Sequence, residues 1–157
     1  MSIEKVREYF KNYGIEDKIL EFPVSSATVE LAAQALNTDG CRIAKTLSFS
    51  VNESPILIVT AGDAKIDNKK YKTFFGAKAK MLSFDEVEEK IGHAVGGVCP
   101  FAINEGVKVY LDECIKRFPS VFPACGSSNS AIELTPNELE NYSESFIQWI
   151  DVCKLPE

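Results

Sequence analysis

Apolar residues recur along this chain first at helical and then at strand spacing. Ile3, Val6 and Phe10 share one helical face over residues 2–13, and Asn12-Tyr13-Gly14 supplies a glycine stop. Lys18 to Phe22 reads as a short strand ended by Pro23, Thr28 caps a second helix through Leu36, and Asn37-Thr38-Asp39-Gly40 is a turn. The runs at 41–51 and 55–60, joined by Asn52-Glu53-Ser54, are rich in Ile, Val, Leu and Thr and predict an antiparallel hairpin at the centre of a sheet. Helical spacing returns at Asp67–Phe75 and Ser83–Ile91, the second opened by the capping-box pattern Ser83-Phe84-Asp85-Glu86. Three further strands are predicted at 107–111, 121–125 and 131–134. Thr135-Pro136-Asn137-Glu138 starts a last helix, and Phe146–Ile150 closes the core. No repeat, linker or low-complexity tract interrupts this alternation, which predicts one α+β domain over residues 1–157 with a mixed, mostly antiparallel sheet.

Composition narrows the function classes. No apolar run approaches the roughly 20 residues that span a bilayer, and the N-terminus is charged and helical in pattern, so no membrane association and a cytoplasmic location are expected. Five cysteines, an odd number without a CxxC, predict free thiols. With one histidine and no compact carboxylate motif, neither a metal nor a cofactor is expected. The net charge of −6 opposes a general nucleic-acid coat. Locally the balance reverses: between residues 65 and 80 lie Lys65, Lys69, Lys70, Lys72, Lys78 and Lys80 against one acid, Asp67. That segment is either a solvated face or a patch that meets phosphates.

Three segments could carry chemistry. In Arg42-Ile43-Ala44-Lys45-Thr46-Leu47, strand alternation puts Lys45 on a face with Ile43 and Leu47, where an ammonium needs a charge partner, a cleft mouth or an edge from which it reaches water. Gly92-His93-Ala94-Val95-Gly96-Gly97-Val98-Cys99-Pro100-Phe101 is a shaped loop holding the only histidine; it is either a structural turn or a source of peptide N–H donors. Gly126-Ser127-Ser128-Asn129 offers hydroxyls and an amide in a loop between two strands, suited to polar ligands but also a common connection. His93 and Cys99, six residues apart, could form a base and thiol nucleophile. The competing reading has His93 as a loop or pocket-wall residue and Cys99 as a small space-filling hydrophobe.

Taken in order, these segments resemble one family. A strand ending in Ala44-Lys45-Thr46-Leu47, a Gly96-Gly97-Val98-Cys99-Pro100 loop that fits a GxxxP element, and Gly126-Ser127-Ser128-Asn129 running into Ala131-Ile132-Glu133-Leu134-Thr135-Pro136 are similar to the YbaK/EbsC and prolyl-tRNA synthetase editing domains. The resemblance covers nearly the whole chain and implies a barrel-like sheet surrounded by helices. It implies a free-standing deacylase that hydrolyses a mischarged small amino acid from tRNA, with tRNA(Pro) expected, and no metal or cofactor. The expected partners are the aminoacyl-tRNA acceptor end and an aminoacyl-tRNA synthetase.

On that resemblance Lys45, Gly96, Gly97, Val98 and Pro100 form the catalytic set, with backbone N–H groups stabilising the carbonyl oxygen and Lys45 anchoring the phosphate or ribose side. Thr46, His93, Cys99, Gly126, Ser127, Ser128 and Asn129 are expected to bind substrate. Lys65, Lys69, Lys70 and Lys72 are the expected contacts to acceptor-stem phosphates. The chain departs from the YbaK branch in two places. Ala131 stands where an aspartate commonly precedes the Ile-Glu-Leu run, and the Gly126–Asn129 loop differs from a basic-glycine version, so alanine, serine and threonine join cysteine as the amino acid removed. A non-catalytic module that binds aminoacyl-tRNA or a synthetase would use the same residues.

Overall fold

The predicted hairpin organises the fold. In this computed structural model, which describes residues 2–156, β2 (Ile43–Val51) and β3 (Ser54–Ala61) pair antiparallel from Ala44 opposite Ala61 to Val51 opposite Ser54. Their turn is Asn52-Glu53, both left-handed at φ 51° and 69°, the conformation that matches the twist of a tight hairpin. Asparagine tolerates it; a glutamate there is strained by about 1 kcal/mol.

β5 (Lys108–Asp112) adds parallel to β3, β8 (Phe146–Ile150) parallel to β5, and β6 (Phe122–Pro123) parallel to β2, giving a five-stranded sheet in the order β6-β2-β3-β5-β8. The mixed sheet is as expected, with the antiparallel bias confined to the hairpin and two small sheets. These pair β1 (Leu20–Glu21) with β7 (Ser130–Ala131), and β4 (Lys65–Ile66) with β9 (Cys153–Lys154). The stretches after β3 and after β5 are long enough to carry helical crossovers, which is what parallel neighbours require. Three expected strands are shorter than predicted. Residues 16–18 form a 3₁₀ turn before β1, β6 and β7 are two residues each, and only an isolated Val121–Leu134 bridge continues the pairing. Pro23 and Pro123 lack the N–H that a longer ladder would need. Cys41 and Arg42, expected to begin β2, belong instead to another 3₁₀ turn, Gly40–Arg42.

The helices fall where apolar periodicity and caps place them. α1 (Ser2–Lys11) buries Val6 and Phe10 completely. α2 (Val29–Leu36) is capped by Thr28, whose hydroxyl accepts from Leu31 N–H at 3.1 Å. α3 (Asn68–Phe75) starts on the Asp67 carboxylate, which accepts the Lys69 and Lys70 N–H groups at 3.0 Å each. In α4 (Phe84–Ile91) the Ser83 N–H donates to Glu86 at 3.0 Å, and α5 (Pro136–Tyr142) carries the same box between Thr135 and Glu138. β3 is buried on both faces, with Leu57, Ile58 and Val59 inaccessible, as a strand in mid-sheet must be. A smaller apolar cluster of Ala32, Ile43, Phe122 and Ala131 lies between α2 and the β2–β6 edge, and the site opens beside it. Among the described residues no helix is long and apolar enough to cross a membrane.

Candidate functional site

A cavity of about 430 Å³ opens between α2 and its approach from Ser26, the first half of β2, the glycine loop at 95–98, and the ends of β6 and β7. Its walls are mostly small and apolar, including Ala32, Ile43, Val98 and Ala131. Ala131 is therefore part of an apolar wall.

Lys45 and Thr46 also line this cavity. Lys45 is half-buried, and its Nζ donates to the Ala64 carbonyl at 2.6 Å. The next residue back, Asp63, is held by Arg117 at 2.7 Å; that hydrogen bond, with the Lys45 charge adding to it, keeps the Asp63 carboxyl below its ordinary range. Lys45 is thus fastened by a carbonyl at the cavity edge, with its carboxylate neighbour already neutralised by another cation. Thr46 is placed differently: its Oγ1 is buried and has no hydrogen-bond partner among the described residues.

The glycine loop follows α4, and its key contact is Gly97. A Cβ built there would lie 2.6 Å from Gly126 C, 2.7 Å from Ser127 N and 2.8 Å from Gly126 O. The two small-residue loops therefore touch backbone to backbone, which only glycine permits. Gly96, at φ +98°, makes the turn into this contact. The Gly97 N–H closes that turn on Ala94 O at 3.0 Å, so the backbone donor assigned to Gly97 is already occupied. The Val98 and Cys99 N–H groups have no protein acceptor among the described residues. Pro100 is buried, and its carbonyl accepts from Glu144 N–H at 2.8 Å.

His93 and Cys99 lie beneath the loop, each fully buried, and neither lines the cavity. His93 Nε2 is 2.7 Å from Phe101 O; a carbonyl only accepts, so this nitrogen carries the proton. Cys99 Sγ, 3.5 Å from the same nitrogen, therefore faces a donor and not a base. Burial pushes its thiol up to about 12 and pushes His93 below its ordinary value. The geometry favours the space-filling and bracing roles over a thiol nucleophile.

Gly126 to Asn129 and Gly97 border a separate cavity of about 450 Å³ with Lys5, so the structure does not bring Ser127, Ser128 and Asn129 to the Lys45 cavity. Their polar groups hold the segment before α2 instead. Asn129 Nδ2 donates to Phe22 O at 3.0 Å, Phe22 N–H to Asn129 O at 2.8 Å, and Ser26 N–H to Ser128 O at 2.6 Å. Ser127 Oγ meets Ser130 Oγ at 2.6 Å. The strap from Phe22 to Thr28 supplies a wall that sequence reasoning missed; its only signal was the small-polar run Ser25-Ser26-Ala27.

The lysine segment divides. Lys65 follows directly on Ala64, whose carbonyl holds Lys45, whereas Lys69, Lys70 and Lys72 lie on α3. Lys70 is committed to Asp151 at 3.1 Å and Cys153 O at 2.9 Å.

With this geometry in place, comparison with known proteins is informative. The aminoacyl-tRNA editing domain matches residues 24–142. The chain is 56% identical to the uncharacterized protein YwhH of Bacillus subtilis (strain 168) over 155 residues, covering 98% of each. It is 24% identical over 102 residues to a proline–tRNA ligase of Bacillus cereus (strain AH820), a match spanning 64% of this chain and 18% of the ligase. A solved structure of a proposed trans-editing enzyme for prolyl-tRNA synthetase superposes with a TM-score of 0.86 at 29% identity, covering 98% of this chain and 97% of that one.

Proposed function

Because this chain belongs to the aminoacyl-tRNA editing-domain family, we propose that it is a deacylase acting in trans, which hydrolyses the ester between a small, wrongly attached amino acid and the terminal ribose of tRNA(Pro) in the cytoplasm. The observation that carries this reading is the pairing of a cavity walled by small apolar groups with a backbone-built loop, Gly96 to Pro100, fixed by the Gly97 contact.

Ester hydrolysis adds water to the carbonyl carbon, places negative charge on the carbonyl oxygen, and releases the amino acid with the ribose hydroxyl restored. The Val98 N–H, on the cavity wall, is the donor for that oxygen, preorganised because the loop cannot move without parting from Gly126 and Ser127. Lys45 leaves its carbonyl to anchor the phosphate of the terminal nucleotide. The proton from the attacking water passes to solvent or the substrate's neighbouring hydroxyl, so no histidine base is needed. Lys65, beside the Lys45 anchor, takes a stem phosphate more directly than the α3 lysines.

The test is release of labelled amino acid from Ala-, Ser-, Thr- and Cys-tRNA(Pro), comparing wild type with Lys45→Ala. Turnover of one ester by wild type, falling about 10- to 100-fold in the variant as a charge-assisted hydrogen bond is lost, supports the reading. If every ester survives while tRNA is retained, the domain is a binding module.

A further inference from the structure

On the opposite flank of the central strand pair, outside the cavity described above, Asp112, Cys114 and Cys153 converge from three elements: the end of β5, the 3₁₀ turn Glu113–Arg117, and β9. One carboxylate oxygen and the two sulfurs all lie within 4.8 Å of one another, and the residues are 1%, 8% and 4% exposed. Two thiolates and a carboxylate at such separations are a donor set for a tetrahedral, soft divalent ion. We propose that Asp112, Cys114 and Cys153 form a zinc-type metal site that ties the C-terminal strand β9 to the central sheet.

The surroundings of the three donors carry the proposal further than their proximity. The Asp112 carboxylate is oriented from both sides, Oδ1 accepting from Cys114 N–H at 3.0 Å and Oδ2 from Val152 N–H at 2.9 Å. Each oxygen keeps a lone pair for a metal. Cys114 Sγ accepts from Ala61 N–H at 3.3 Å, the kind of outer contact that steadies a bound thiolate. A divalent ion with two thiolates and a carboxylate leaves one net negative charge, and an ion-paired cation braces the backbone of each cysteine, Arg117 with Asp63 and Lys70 with Asp151. Arg117 Nε donates to Cys114 O at 2.8 Å, and Lys70 Nζ to Cys153 O at 2.9 Å. Ligation requires thiolates, so an ion that binds here must displace thiol protons. Binding exchanges the ion for two thiol protons, both released to solvent, with no change of oxidation state. Access is by opening of β9, which is only two residues long and next to the exposed Leu155. The fourth position is left for solvent.

The site is tested on the reduced, folded full chain with Co²⁺ as the probe, followed by Zn²⁺ competition. One equivalent of Co²⁺ should give a thiolate-to-metal absorption band, abolished by Zn²⁺, with two protons released per ion. Cys114→Ala and Cys153→Ala should each weaken binding by more than about 100-fold, and Arg117→Ala by about 10-fold through loss of its hydrogen bond to the Cys114 carbonyl. Cys41→Ala should leave it unchanged. Absence of the band in reduced wild type overturns the proposal, as does a band that persists in both cysteine variants. If those variants do not fold, native mass spectrometry of wild type decides: one ion gained with two protons lost supports the site, and an ion gained without proton loss overturns it.

Discussion

Replacing Gly97 by alanine should separate the two loops that define the site. The added methyl would start 2.6 Å from Gly126 C, whereas ordinary contact begins at 3.4 Å, so the backbones must part by about 0.8 Å. Neither contacting group is a side chain that can swing away; both are peptide backbone. Overpacking of this kind costs about 1–3 kcal/mol, a fall in Tm of roughly 2–12 °C for a chain of this size. The functional loss should be larger than the stability loss suggests, because a misplacement approaching 1 Å between donor and carbonyl costs about 100-fold. The assay is deacylation kcat/KM alongside thermal unfolding, with Gly76→Ala as control. Gly76, unlike Gly97, has a positive φ, +75°, but a Cβ there meets nothing within 4 Å, so that variant should lose about 1 kcal/mol and keep its activity. If Gly97→Ala retains kcat/KM within twofold of wild type, the argument that loop placement sets catalysis is refuted.

Thr46→Val removes a buried hydroxyl that has no partner among the described residues, so stability should hold or rise slightly by thermal unfolding; a change in preference among Ala-, Ser- and Thr-tRNA would then report direct contact with the substrate. Glu53→Gly should stabilise by about 1 kcal/mol, measured by denaturant midpoint, because it relieves a left-handed glutamate in the β2–β3 turn. Burial lowers the folded-state value of His93, the single histidine, below 6.5, so the unfolded chain binds the extra proton first. Stability from this residue should be fully present above about pH 6.5 and be lost as pH falls from there toward the lowered folded value; a urea-midpoint profile flat across that window would contradict its burial as a neutral group.

The helices, the central hairpin and the Lys45 strand are legible in the sequence, since each is specified locally by a cap, a period or a turn. Thr28, Ser83 and Thr135 open helices where their patterns place them, whereas Asp67, read as the first helical residue, is instead the cap of α3. The parallel partners of the hairpin are not legible, because β6 and β5 join strands far away in sequence and carry no mark of their direction. The same limit applies at the site. The Gly97 and Gly126 loops are visible as compositions, but their contact spans thirty residues of chain and follows from the fold alone. Asn129 looks like a ligand group in sequence, yet in space it fastens the strap through Phe22. His93 and Cys99 invite a catalytic pairing by residue type, which their burial and the Phe101 carbonyl disfavour.

The glycine loop's exit stands on residues outside the 24–142 stretch that defines the family match. Phe101 packs with a tilted ring, centroids 4.7 Å apart, against Phe10 of α1, while Glu144 donates its N–H to Pro100 O and accepts the Ile103 N–H at 2.9 Å on its carboxylate. Trimming the chain to the matched stretch would leave every residue of the candidate deacylase site in place yet remove the floor and the clasp of the loop, along with the edge strand β8. The smallest unit able to hold the site in register is therefore larger than the unit recognised by family, and any fusion or grafting of this domain has to carry both flanks with it.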